Sequence, residues 1–387
     1  SGENAGIAAS SDVVQDLTWC AILKDYGPGA DRTIPRPEGY DPAEFNCSST
    51  SHCKDATREK PTVDARKMLD YARLPGGKYL VNWPNHGNDT YLNVVGMDDA
   101  AREKALLAAK ETTLRFVYFV QNELGFRNLG LADDEYPTKD RLPFVPYHRE
   151  GRRLRCVVRF AARDIEDPFG ARDPLYRTGV SVGDYPIDHH HKRNPQAPQH
   201  LWFVPVPSFS VPLGALVPEA TDGLVVADKA ISVSNVANGT TRLQPVVLLT
   251  GQAAGALAAL AARDGREPRS VPVRDVQRAL LEAGAFLLPY LDVPPDHPHF
   301  ARIQRVGATG ILKGKGVPHQ WANQTWFYPD FPIDAATLQE GLTEFEKVDG
   351  PKADGRPLTV AGAVAMLTDY RAALVKKDKA RFAALEG

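Results

Sequence analysis

Three short clusters and one loop hold most of the side chains that could do chemistry. Residues 82–89, NWPNHGND, crowd Asn82, Trp83, Asn85, His86, Asn88 and Asp89 around Pro84 and Gly87. Amides beside an indole and an imidazole suit a polyhydroxy, sugar-like ligand, and His86 could carry a proton on the substrate side. Asn and Asp also favour turns for local reasons, so a plain structural turn is the alternative. Residues 147–153, YHREGRR, place Arg149, Arg152 and Arg153 within five residues. Guanidinium forks match carboxylate or phosphate. The alternatives are a solvated basic loop, or Arg149 paired with a carboxylate elsewhere in the fold. Three adjacent histidines, 189–191, invite a metal reading. Two imidazoles on one strand face lack a third ligand of sensible spacing, so no metal site is expected. The loop 228–244 carries Asp228, Ser232, Ser234, Asn235, Asn238, Gly239, Thr240, Thr241 and Arg242, and nearly every side chain there can hydrogen-bond.

These residues need elements to position them. The apolar run Leu224–Ala227 reads as a short strand buried on both faces and ending at Asp228. Strand ends of this kind are where open α/β sheets bind ligands. After the loop, Pro245 suits the first turn of a helix. That helix is apolar on nearly all sides to about Arg263, which predicts burial, with Gly265 as its C-cap. Gly251 and Gly255 share one helical face and would allow close approach of a neighbour. A strand is expected within 13–24 and another over 78–81. Asp98 or Asp99 should cap a helix reaching Leu124. Further helices are expected at 273–282, 335–345 and 358–376. Residues 25–60 read as a long surface excursion, and 202–214 as extended chain.

A chain of 387 residues has room for two or three domains. A net charge of −2 gives no electrostatic footprint for nucleic acid or an anionic membrane. Outside the apolar helix no stretch is long and apolar enough to span a membrane, and the start, SGENAG, shows no signal peptide. Cys47 and Cys53 could close a short disulfide loop or stay as thiols, and no C-x-x-C pair points to zinc. A periplasmic or secreted setting is compatible with such a loop, and the compartment stays open.

The stretches LVVADKAIS, NGTTRLQP and GQAAGALAALA resemble the C-terminal flavin-binding segment of FAD-dependent oxidoreductases with a glutathione-reductase-like fold. More narrowly, they look like a bacterial FAD-dependent oxidoreductase family, some of whose members carry the label xanthan lyase. The runs NWPNHGND, PY-x-RE-x-RR and YPID-x-H are similar to that family as well. The resemblance implies an α/β (mixed α+β) chain: an incomplete FAD/NAD(P)-binding-type domain, a β-sheet substrate domain and a helical C-terminal appendage. It implies flavin contacts from Asp228, Ser232, Asn238, Gly239, Arg242, Leu243 and Gln244, with the helix N-terminus at the pyrimidine ring. It also implies Tyr185, Asp188 and a histidine near the reactive face, His190 by the literal spacing, with the run of three leaving that choice open by one residue. His86, Arg149 and His190 are then the catalytic candidates, acting on hydride transfer between a carbohydrate-like substrate and flavin N5.

No G-x-G-x-x-G turn lies between a strand and a helix. The expected segments are therefore a substrate-side part (1–212), the C-terminal piece of an FAD domain (213–266) and a helical region (267–387). The dinucleotide-binding first portion is then absent from this sequence: either this is a fragment, or the rest belongs to another chain that would be its partner, or the FAD site has been lost. Residues 294–335, with HF-x-x-I and GILKG, resemble one S-layer-homology unit, the bland alternative being a packed helical appendage. Two other functions stay open: a flavin-free carbohydrate-binding or cell-wall protein, and a polysaccharide lyase using Arg149 and His86.

Overall fold

The computed structural model describes residues 12–168, 174–191, 193–194, 208–319, 322–348, 353 and 355–381. It is a mixed α/β fold. The chain packs as two units. Residues 12–152 and 189–194 belong to the first, and 153–188 with 208–381 to the second. The segments expected from sequence are contiguous, whereas these units are not. Of the stretch 202–214, residues 202–207 lie outside the described residues.

In the first unit, β1 (Leu17–Thr18), β2 (Ala21–Asp25), β3 (Arg73–Leu74), β4 (Lys78–Val81), β5 (Asp89–Thr90) and β6 (Leu129–Leu131) surround α1 (Ala65–Asp70) and α2 (Asp99–Asn122). Four strands form an antiparallel sheet in the order β3-β4-β2-β6. The α2 helix begins where the Asp98 carboxylate accepts from Ala101 N–H, satisfying one of the orphan donors of a helix start. Its first half, alanine-rich with interspersed charges, is mostly exposed. Its second half buries Phe116, Val117, Phe119 and Val120 in one core with Ala21, Leu23, Tyr79, Val81 and Leu129 of the sheet. Phe45, from the long excursion, sits 5.1 and 5.5 Å from the Phe116 and Phe119 rings. Within that excursion a Cys47–Cys53 disulfide closes a short loop.

The second unit contains α3 (Ala162–Glu166), β7 (Gly179–Gly183), β8 (Phe209–Pro212), α4 (Asn235–Thr241), α5 (Gln244–Asp264), α6 (Val273–Glu282), α7 (Phe300–Thr309), β9 (Lys315–His319), β10 (Ala322–Trp326), α8 (Ala335–Phe345) and α9 (Val360–Lys377). The antiparallel pair β7–β8 packs under α5, which also meets α6. The expected helix C-cap holds: Gly265 is left-handed at φ 59°.

Two expectations around α5 fail. Residues 224–227 form no strand. Leu224 is exposed, Val226 N–H bonds to Leu216 O, and the run passes into a 3-10 turn at Asp228–Ala230. An apolar run becomes a strand only where a ladder partner exists. Nor is α5 buried all round. Val246, Thr250, Ala253, Leu257 and Ala261 form the buried stripe, at spacings of three and four, while Leu248 is 73% exposed. A side chain at Gly251 or Gly255 would meet nothing within 4 Å among the described residues, so neither glycine serves a close approach to them. By length and composition α5 alone among the described helices could span a membrane.

Candidate functional site

The first site grows from the two-residue strand β1. Its Thr18 stands opposite Asp89 of β5, and on the other side bridges to Tyr147. That bridge delivers Arg149, two residues further on, to the same place. Arg149 is 1% exposed. Its Nη1 donates to Asp16 O at 2.6 Å and Thr18 Oγ1 at 2.9 Å. Its Nη2 donates to Asn82 Oδ1 at 3.1 Å and Asp89 Oδ1 at 3.3 Å. Thr18 Oγ1 in turn donates to Asp89 Oδ1. The other carboxylate oxygen, Oδ2, lies 2.6 Å from His190 Nδ1. An ionised carboxylate only accepts, so Nδ1 carries the proton and Nε2 is the atom through which the ring would exchange one.

Burial by itself would raise the Asp89 carboxyl. The Arg149 charge, then the His190 and Thr18 hydrogen bonds, outweigh it and hold the group below the ordinary carboxylate range. Asp16, also 1% exposed, goes the other way. Burial pushes it up to about 7, against the Arg193 N–H bond at 2.9 Å that favours its charged form.

His190, Arg193 and Asn194 are strapped along residues 12–16. Asp16 N–H donates to His190 O at 2.6 Å, His190 N–H to Gln15 Oε1 at 3.2 Å, and Asn194 Nδ2 to Asp12 O and Val14 O. Arg193 Nη2 reaches Gly87 O at 3.3 Å, tying the strap to the amide-rich turn. The alternation expected for the three histidines is kept in extended chain. The rings of His189 and His191 meet edge to face at 5.0 Å, and His190 points to Asp89.

Of the catalytic candidates, Arg149 and His190 therefore converge on Asp89. Arg149 pairs with a carboxylate inside the fold, the alternative left open for it, and its charge acts on Asp89. His86 occupies the left-handed region at φ 55° in the turn, on the side of Asp55. Much of the turn's polarity is used inward. Asn88 is fully buried and donates to Trp19 O, Val81 O and Thr113 Oγ1, Asn82 receives Arg149, and Trp83 Nε1 donates to Ser48 O at 2.8 Å. Thr18 and Asp16 were not singled out from the sequence, and Asp89 was named only as one polar member of its run. Asp89 stood in the quoted run, but nothing local marks it as a hub.

The second site is the loop 228–244. Asp228 is half-exposed and left-handed at φ 55°, a conformation Asp tolerates better than most residues. Ser232, Asn238, Gly239 and Arg242 are buried, Leu243 is half-buried and Gln244 is exposed. Ser234 caps α4 through Ala237 N–H. The Tyr185–Asp188 stretch lies along that helix. Tyr185 O accepts from Thr240 Oγ1 at 2.6 Å, and Asp188 N–H donates to Gly239 O at 3.2 Å. Arg242 Nη2 donates to Asp188 O at 2.8 Å and to Asp188 Oδ2 at 3.0 Å. Its buried Nε has no hydrogen-bond partner among the described residues. The next residues open α5 with no side-chain cap, at a start of helix that is exposed. The orphan N–H donors of that exposed start suit an electron-rich, oxygen-bearing group, and Arg242, two residues before it in the chain, adds positive charge.

A family model described as FAD dependent oxidoreductase matches residues 6–280. The chain belongs to that family. No curated protein and no solved structure matches it. As a family member the chain is a flavin-dependent oxidoreductase in general terms, with FAD as the implied cofactor. Residues 281–387, which hold the segment read as S-layer-like, lie beyond the matched region. There α7, the β9–β10 hairpin and α8 form part of the second unit.

Proposed function

We propose that this oxidoreductase acts on a polyhydroxy, carbohydrate-like substrate, with His190 carrying the substrate proton. The observation that carries this is the 2.6 Å pair between His190 Nδ1 and the buried Asp89 carboxylate. Flavin, when bound, supplies the hydride chemistry at its N5. Asp228, Ser232, Asn238, Gly239, Arg242, Leu243 and Gln244 would hold it, with Arg242 and the uncapped start of α5 offering positive potential to the ring edge that gains charge on reduction. Asp89 keeps the imidazole in one tautomer and one orientation and stabilises its protonated form. Arg149 keeps Asp89 ionised. Thr18 fixes the carboxylate between them. His86, on the turn beside this centre, is a second candidate for substrate contact.

The natural full-length protein tests this directly. Purified, it should carry flavin absorbance or acquire it with added FAD, and a sugar or polyol substrate should bleach that absorbance. His190→Gln should slow the bleaching by about 10²–10⁴-fold, the usual worth of a positioned proton carrier. Protein that stays colourless with FAD sinks the cofactor assignment. Unchanged bleaching in His190→Gln sinks the proton role alone.

A further inference from the structure

We propose that Asp16 is a positioning residue for His190: the two side chains compete for one proton inside the buried Asp89–Arg149 centre, so that ionised Asp16 favours the protonated imidazole. The geometry begins with the backbone. Asp16 donates its N–H to His190 O and accepts Arg149 Nη1 at its own carbonyl, both at 2.6 Å, so it is clasped to both members of the centre. Its carboxyl is equally enclosed. Oδ2 accepts Arg193 N–H at 2.9 Å, while Oδ1 is buried and has no hydrogen-bond partner among the described residues. A carboxylate half matched in this way is costly to ionise.

Charge counting then decides the coupling. Asp89 is ionised and Arg149 is positive, and together they cancel. With Asp16 and His190 added, two arrangements leave the buried centre neutral: a proton on Asp16 with neutral His190, or ionised Asp16 with protonated His190. Either alternative, no proton or two, leaves a net charge among groups of which Asp16, Asp89 and Arg149 are buried and only the His190 ring is partly exposed. The remaining groups fit the same account. Asp89 raises the Asp16 carboxyl, and Arg149 and His190 lower it, after the larger effects of burial and the Arg193 N–H. Tyr91 feels Asp16 from outside, its phenol raised chiefly by burial. The Cys20 thiol, which senses Arg149 and Asp89, is pushed up to about 11 by burial and stays neutral. Two groups that share one proton titrate as a pair, and that is the behaviour the proposal predicts.

The catalytic meaning of this coupling rests on His190 being the proton carrier, but the coupling itself is measured without flavin or substrate. In the full chain, the ring nitrogens of His190, assigned by their loss in His190→Gln, would be followed by NMR across the neutral pH range. Asp16→Asn keeps the acceptor for Arg193 N–H and removes the charge. It should lower the His190 midpoint by about one pH unit, as expected for loss of a nearby opposite charge. A purely structural role for Asp16 would not move that midpoint, and an unmoved midpoint overturns the proposal. Should Asp16→Asn fail to fold, the carboxyl carbon of Asp16 in the unsubstituted chain decides. An inflection shared with His190 supports the coupling, and a single inflection in the ordinary carboxylate range overturns it. A protein that never takes up flavin would remove the oxidoreductase reading and leave this titration intact.

Discussion

Asp89→Asn is the sharpest perturbation of the first site, because it removes charge and almost no volume. Asp89 is 3% exposed and accepts from Arg149 Nη2, His190 Nδ1 and Thr18 Oγ1. Asn keeps one acceptor and turns an NH2 group toward at least one of these donors. The larger loss is electrostatic, since Arg149, at 1% exposure, is left as a buried cation without its Asp89 counter-charge. Removing one partner of a buried pair costs about 3–5 kcal/mol. For a unit of this size each kcal/mol moves the melting midpoint by about 2–4 °C, so Asp89→Asn should melt roughly 6–20 °C lower. The pH dependence follows in sign. The folded-state pKa of Asp89 is depressed, so its stabilisation is fully present above the ordinary carboxylate value of about 4 and is lost as pH falls through the lower folded value. The gap between wild type and variant should therefore close in acid. Thermal and urea unfolding measure both effects. The double change Asp89→Leu with Arg149→Met should recover most of the loss, since apolar groups of similar volume replace buried pairs at little cost. A single-variant loss below about 1 kcal/mol would refute the reasoning, because Arg149 could then not be desolvated as its burial requires.

Asp16 should show the opposite linkage. Its folded-state value of about 7 lies above the unfolded value, so the folded chain holds a proton that the unfolded chain releases. Stability is lost as pH rises from about 4 to about 7, and Asp16→Asn should flatten that slope and melt higher than wild type in mild alkali. Replacing Cys47 and Cys53 with serine opens a loop with a sequence separation of 6 and should cost about 2 kcal/mol, read as a lower melting midpoint under non-reducing conditions and no difference under reducing ones. Gly341→Ala should destabilise the second unit by about 1–3 kcal/mol, because the new methyl group would overlap the Ile311 carbonyl across the α8 contact. Urea midpoints would check it, and wild-type stability would show that α8 packs elsewhere.

What was legible beforehand follows from the range of the forces involved. Asp98 with a polar first turn set the start of α2, and the 273–282 and 335–345 helices appear at the expected residues, because caps and 3.6-residue periodicity act within a few positions. β4 likewise spans 78–81. Residues 224–227 had the same apolar signature and form no strand, since ladder partners are a tertiary matter. The apolar composition of α5 was read correctly and its burial was not. Composition states what a helix would gain by burial, while only packing states which side is covered.

The candidate site divides along the same line. From the sequence alone came its members by type: an amide-rich turn with His86, a run of arginines around Arg149, a histidine run around His190, and a polar loop leading into a Pro-led helix. Tertiary structure alone decided which of them meet. Asp89 lies 60 residues from Arg149 and 101 from His190, and Thr18 is 71 residues from Asp89. These pairings are fixed by the register of β1 against β5 and by the bridge from Thr18 to Tyr147. The protonation states were equally out of reach. Two aspartates with the same intrinsic chemistry end on opposite sides of their ordinary value, because Asp89 is buried with a guanidinium and an imidazole, and Asp16 with one backbone N–H and an unmatched oxygen.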